Sequence, residues 1–180
     1  MTETGEESTC PICGGAEKVP LPDETWLLGF PDSHMMWRCN TCRFVYLVTG
    51  RTSEELLSDY DDEYFDRLSD FQDGSPVHVA RTRMFQDHLQ VIEDRVGRDA
   101  RILDLGAARG HFLEVAANEG WSAIGLEPAQ TAAEEAQKRG LDVTIGTLDD
   151  AGFAADSFDA VHSSHVFEHL DAPVDLSLIH

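Results

Sequence analysis

Arg101-Ile102-Leu103-Asp104-Leu105-Gly106-Ala107-Ala108-Arg109-Gly110-His111-Phe112-Leu113 is the stretch whose reading decides the fold. A short apolar run with an acid near its end breaks into a glycine-containing turn, and an apolar helical pattern follows. That order predicts a buried parallel strand that delivers a loop to the N-terminus of a helix. Amides in the first turn of a helix lack intrahelical partners and the helix dipole is positive there. Such a loop favours a polar, anionic or zwitterionic ligand close to the main chain. The small residues Gly106, Ala107, Ala108 and Gly110 leave room for that approach. A glycine turn of this kind also serves as a plain packing device, and this stretch alone is compatible with both.

The neighbouring run Trp121-Ser122-Ala123-Ile124-Gly125-Leu126-Glu127 reads as a second buried strand ending in a carboxylate. Glu127 follows Asp104 by 23 positions, near the roughly 20-residue offset at which an acid meets ribose hydroxyls in dinucleotide-binding folds. The two oxygens of one carboxylate can accept from a vicinal diol. The alternative for Glu127 is a solvated cap on the next helix. Further along, the chain alternates: strand 101–106, helix 110–119, strand 121–127, helix 129–139, strand 142–146, strand 158–163, and a helix starting near 171. This is a doubly wound parallel α/β layout, in which a ligand lies outside the carboxyl ends of the strands.

Four blocks carry a family resemblance: Asp104-Leu105-Gly106-Ala107-Ala108-Arg109-Gly110, Gly125-Leu126-Glu127-Pro128, Ser157-Phe158-Asp159-Ala160-Val161, and His165-Val166-Phe167-Glu168-His169-Leu170. Their order and spacing resemble class I S-adenosylmethionine-dependent methyltransferases, over roughly residues 60 to 180. The resemblance implies a Rossmann-like core, S-adenosylmethionine as cofactor and a small-molecule methyl acceptor. It also implies a set of cofactor-binding residues. The main chain of Gly106, Ala107, Ala108 and Gly110 would hold the methionine end, and Asp104 would orient its amino group. Glu127 would take the ribose, with Pro128 beside it in the motif. Leu148 would pack on the adenine and Asp149 would accept from its amino group, with Ser164 completing the set. Family members usually carry glycine where this chain has Ala108, a change expected to weaken affinity only modestly.

His162-Ser163-Ser164-His165-Val166-Phe167-Glu168-His169 follows the fourth core strand, which directs it to the carboxyl-end crevice. His165 is the first candidate for the methyl-transfer face, followed by His169 and Glu168. A histidine titrating near working pH suits general-base help to a hydroxyl, amine or acidic carbon. Glu168 and His169 equally suit capping of the following turn. No Ser/His/Asp nucleophile set is evident, and a sulfonium methyl donor requires none. Family cores carry seven strands, whereas this chain ends at Leu178-Ile179-His180 within the helix after the fourth. The expected core is therefore incomplete, with Phe158–Ser163 as an apolar edge open to self-association or to a completing partner.

Outward toward the N-terminus, Cys10-Pro11-Ile12-Cys13 and Cys39-Asn40-Thr41-Cys42 form two C-x2-C knuckles separated by 25 residues and use all four cysteines. Two such knuckles can wrap one tetrahedral ion, and four thiolates suit a structural zinc with no open position for water. A rubredoxin-like iron site is the rival, while disulfides are disfavoured in a reducing compartment. Strand-like runs at 26–30, 35–38 and 43–48 give a small ribbon. The divisions expected are thus an acidic disordered tail at 1–9, a zinc ribbon at 10–48, a lid segment and linker helix at 49–98, and the cofactor-binding core at 99–180. The linker helix runs from Pro76 to Gly97, with apolar positions Val77, Ala80, Met84, Val91, Ile92 and Val96. His88 reads as a boundary residue of that helix and not as a ligand.

Length and 42% apolar content allow one domain with a small appendage. The net charge of −21, with only two lysines, argues against nucleic-acid and membrane-surface partners. No apolar run of membrane-spanning length and no leader-like stretch are present, so a cytoplasmic location is expected. Two functions of other classes compete with methyl transfer. One is a non-catalytic cofactor-binding or zinc-ribbon scaffold completed by a partner chain. The other is a dinucleotide-binding oxidoreductase, disfavoured because the turn lacks the full three-glycine fingerprint.

Overall fold

Residues 9–21, 35–48 and 74–166 are described in the computed structural model, and they belong to two units, an N-terminal ribbon and a larger α/β unit. The expected tail, the run at 26–30, the lid segment through residue 73 and the helix near 171 lie outside the described residues.

In the ribbon, β1 (Lys18–Pro20), β2 (Met35–Cys39) and β3 (Val45–Val48) form an antiparallel sheet in that order. The two knuckles make the same turn. Gly14 N donates to Cys10 O, and Arg43 N donates to Cys39 O. Both of those donors are left-handed, with φ +68°. At Gly14 that conformation costs little, whereas at Arg43 it costs about 1 kcal/mol or more. The turn at Arg43 also explains why β3 starts two residues later than the sequence predicts. Trp37 and Tyr46 bury against Cys10 and Cys39 to make the small core, and the Lys18 ammonium lies 4.8 Å from the Trp37 ring centroid.

The larger unit opens with α1 (Pro76–Val96), bounded as its sequence predicts. Ser75 accepts from His78 N, Pro76 occupies the first turn, and Gly97 N closes on Glu93 O. Phe85 and Leu89 are its buried residues. Phe85 meets Phe112 edge-on with ring centroids 5.5 Å apart, which seats the helix on the next element pair.

That pair is β4 (Arg101–Leu105) and α2 (His111–Asn118), followed by β5 (Ser122–Glu127), α3 (Gln130–Lys138), β6 (Val143–Ile145), the short α4 (Leu148–Ala151) and β7 (Ala160–Ser163). The four strands pair in parallel in the order β6-β5-β4-β7. The chain therefore winds outward from β4 through β5 to β6, then crosses to the other side of β4. The switch point between β5 and β7 lies at the carboxyl end of β4, where α/β sheets bind ligands. Gly125 on β5 permits the close strand-to-loop contact: a Cβ there would lie 2.7 Å from Ala107 Cβ and 2.7 Å from Leu113 Cδ1. β7 starts at Ala160, two residues later than expected, because Asp159 is tied to Arg101 by its amide and its carboxylate. β7 ends the described sheet, and its Val161 is 47% exposed. Among the described residues no helix is long and apolar enough to cross a membrane.

Candidate active site

The loop between β4 and α2 uses its own amides. Gly106 N and Ala107 N both donate to Leu126 O, Gly110 N donates to Ala107 O, and Ala108 N donates to a Glu127 carboxylate oxygen. The expectation of unpaired amides is thus corrected for these four residues: three of the donors stitch the loop to the end of β5, and that of Gly110 closes the loop on itself. The small side chains have packing reasons as well. Gly110 is left-handed at φ +81°, and a Cβ there would meet Leu141 Cδ1 at 2.5 Å and Ala136 Cβ at 3.1 Å. Gly106 is left-handed at φ +73°, and its added Cβ would lie 2.3 Å from Val166 Cγ2. Ala108 holds φ +48° without being glycine, a strain of about 1–2 kcal/mol. Two arginines fasten the loop to α3: the Arg139 guanidinium donates to Arg109 O and to Glu114, and Arg109 pairs with Glu135 at 2.7 Å.

Glu127 closes β5 and is 6% exposed. One carboxylate oxygen accepts from Ala108 N at 2.7 Å and the other from Ala129 N at 2.8 Å. Burial pushes its pKa up, against the two main-chain donors that hold it down; the nearby Asp104 charge adds to the rise. One side chain therefore bridges the loop after β4 and the loop after β5. Each oxygen has a second lone-pair direction, so the group retains acceptor capacity for a diol.

Asp104 faces His162 across the β4–β7 register. Its Oδ1 lies 2.7 Å from His162 Nδ1, and the two residues are 3% and 7% exposed. Burial raises the Asp104 pKa, opposed by the hydrogen bond and charge of His162. His162 stacks on Phe112 at 3.8 Å, and its Nε2 lies 3.1 Å from His88 Nδ1 on α1. Burial, then the neighbouring His162, push the His88 pKa down. His88 is the boundary residue that the helical pattern predicts, but it also makes a polar contact that the pattern does not reveal.

Asp104, Gly106, Ala107, Ala108, Gly110, Glu127 and Pro128 come together at the carboxyl ends of β4 and β5. Leu148 and Asp149 open α4, half-buried and exposed respectively. The turn into α4 is set by Asp150, whose carboxylate accepts from Thr147 N and Oγ1. Ser164 and His165 follow β7; His165 is exposed and left-handed at φ +60°. Glu168 and His169 lie outside the described residues. Sequence reasoning named Gly125, His88 and His162 but gave none of them the contacts they make here. Only Gly125 had a local signal, as a glycine inside an apolar strand.

In the ribbon, the Sγ atoms of Cys10, Cys13, Cys39 and Cys42 all lie within 4.8 Å of one another. The Cys10–Cys42 and Cys13–Cys39 pairs are 3.6 Å apart, each pair joining the two knuckles. A tetrahedron with metal–sulfur bonds of about 2.3 Å has edges of about 3.8 Å, so four soft donors stand at the right spacing for one ion. Gly15 provides the room, since a Cβ there would lie 3.3 Å from Cys13 Sγ and 3.4 Å from Cys39 Sγ. A backbone hydrogen bond from Cys42 holds the Cys39 thiol down at about 6. Cys42 gains a backbone hydrogen bond at Phe44, but burial and the neighbouring thiols push it up to about 12.

Comparison with known proteins agrees with this fold. A family profile described as "Methyltransferase domain" matches residues 77–176. The magnesium protoporphyrin IX methyltransferase of Synechocystis PCC 6803 with bound SAH superposes with a TM-score of 0.54 at 17% identity, covering 71% of this chain and 67% of that one. Its form with bound SAM gives 0.52 at 15% identity, covering 66% and 64%. The plantazolicin methyltransferase BpumL in complex with SAH gives 0.50 at 18% identity, covering 71% and 50%. The chain thus spans about half to two thirds of the length of these solved methyltransferases, and identities this low speak to fold alone. Among curated proteins none matches.

Proposed function

This chain belongs to the methyltransferase-domain family, and from that membership we propose that it transfers the methyl group of S-adenosylmethionine to a small-molecule acceptor. The observation that carries the reading is Glu127: a buried carboxylate at the switch point, held by amides from two loops and retaining acceptor capacity. A nucleoside diol is the ligand chemistry that suits such a group. Bound there, S-adenosylmethionine would supply a methyl group already activated by a sulfonium, so the protein's task is binding, alignment and exclusion of water. Glu127 would hold the ribose with Pro128 beside it, and the Gly106–Gly110 loop with Asp104 would hold the methionine end. Leu148 and Asp149 would line the adenine and Ser164 would complete the set. His165 would stand on the acceptor side as the first candidate for proton removal, with His169 and Glu168 next. In the ribbon, Cys10, Cys13, Cys39 and Cys42 would hold zinc as a structural ion.

Calorimetric titration with S-adenosylmethionine and S-adenosylhomocysteine tests the cofactor, and a methyl-transfer screen against hydroxyl, amine and carbon acids tests the reaction. Saturable one-to-one binding of both ligands with turnover of an acceptor is the expected outcome. Failure to bind either ligand overturns the proposal. Binding without any turnover replaces it by the scaffold reading.

A further inference from the structure

Resting on that proposed function, we infer that His162, braced by His88, is a positioning residue that keeps the buried Asp104 carboxylate ionised and aimed for a cationic ligand group. Three observations combine. Asp104 sits at the carboxyl end of the central strand, essentially without solvent. Its carboxylate lies 2.7 Å from an imidazole nitrogen. That imidazole is itself fixed on every side: stacked on Phe112, edge-on to Phe85 and hydrogen-bonded through its other nitrogen to His88.

The proton positions follow from the two contacts. An ionised Asp104 can only accept, so His162 Nδ1 carries the proton between them. His162 Nε2 and His88 Nδ1 share the next proton, so the second ring nitrogen of His162 is hydrogen-bonded as well. The chain Asp104–His162–His88 leaves both ring nitrogens of His162 with hydrogen-bond partners. If His162 is lost, a carboxylate in this low-dielectric position lacks its charge-stabilising donor and takes up a proton. A protonated Asp104 cannot attract an ammonium group. Asp–His pairs elsewhere orient the histidine for chemistry; here the histidine serves the acid. Other titratable groups among the described residues face this chain. Glu127 approaches Asp104 from β5, Asp87 neighbours His88 on α1, and His111 of α2 meets the far side of Phe85, where His78 stacks on it. Burial works against ionisation of Asp104, and the donor and charge of His162 work for it.

The test uses the full chain and S-adenosylhomocysteine, which carries the same amino-acid end, titrated calorimetrically from pH 5.5 to 8.5. The Asp104 carboxyl is followed separately by carbon-13 NMR without ligand. His162→Phe keeps the stacked ring and removes the donor. It should move the Asp104 midpoint up by about one pH unit or more and weaken neutral-pH binding about ten-fold or more. Binding should then recover as pH rises. His162→Asn, whose amide nitrogen stands near the Nδ1 position, should restore most of the wild-type profile. His162→Gln, with its donor near Nε2, should behave like Phe and serves if the Phe variant does not fold. An unmoved carboxyl midpoint in the Phe or Gln variant overturns the inference while leaving the cofactor reading intact. Wild-type protein that binds no S-adenosylhomocysteine overturns both, whatever the carboxyl does.

Discussion

Replacing Glu127 by glutamine asks the most of the site with the least change of shape. In the folded protein two main-chain donors, Ala108 N at 2.7 Å and Ala129 N at 2.8 Å, each end on a carboxylate oxygen. Glutamine has one acceptor atom, so one of these amides must face an NH2 group. Loss of a hydrogen bond to a charged acceptor costs about 1.5–3 kcal/mol. Against this, the wild-type charge is itself strained by burial, as its raised pKa shows, and a neutral amide recovers part of that. A net loss of about 1–2 kcal/mol remains, or about 2–8 °C in melting temperature for a chain of this size. Ligand binding suffers separately, because a diol that used two oxygens now finds one. A loss of about 1–3 kcal/mol corresponds to roughly five- to 150-fold weaker binding of S-adenosylhomocysteine. Calorimetry on Glu127→Gln, with a melting curve to establish that it is folded, reads both effects. A lower melting temperature with affinity within two-fold of wild type would refute the diol role and leave Glu127 as a loop cap only.

Gly110→Ala combines a left-handed backbone with a Cβ 2.5 Å from Leu141 Cδ1, and should cost about 2–5 kcal/mol in denaturant unfolding; a loss below 1 kcal/mol would mean that the loop relaxes freely. Ala108→Gly removes the strain of φ +48° and should raise stability by up to about 1 kcal/mol, so a destabilised variant would contradict the strain assignment. Cys39→Ser should abolish zinc retention, measured by elemental analysis after dialysis, and loosen the ribbon; full metal content in that variant would refute the four-thiolate site. Burial and the neighbouring His162 lower the His88 pKa, so its contribution to stability is complete above the ordinary histidine value of about 6.5 and is lost as pH falls below it. Asp104 and Glu127, with raised pKa values, run the other way, losing stability as pH rises from the usual carboxylate range. Unfolding curves of His88→Gln between pH 7.5 and 5 should therefore fall less steeply than wild type, and parallel curves would show that His88 does not titrate with folding.

Much of this protein is local code. Pro76 and Gly97 bracket α1 because ring closure and a left-handed cap act within a few residues. The Ile102–Leu105 run makes a buried strand because its apolar atoms cannot stay in water, and the paired C-x2-C spacing brings four sulfurs together through two like turns. The acid at the end of β5 was equally legible, since a fixed offset from Asp104 carries it to the same edge of the sheet. Other features answer to partners far along the chain. His162 reads in sequence as one more residue of an apolar strand, yet it meets Asp104 across 58 positions and His88 across 74. The smallness of Gly110 and Gly125 is explained by Leu141, Ala107, Leu113 and Val143, none of them recognisable as neighbours beforehand. The fate of the loop amides was equally hidden, because their acceptors belong to Leu126 and Glu127 on another strand. Strand type, helix ends and the paired cysteine knuckles were therefore determined by the amino-acid order, through periodicity and capping. Which amides are consumed, which acid is braced and which glycine is indispensable were decided only by strand register, since register alone sets residues so distant in the chain within hydrogen-bond reach.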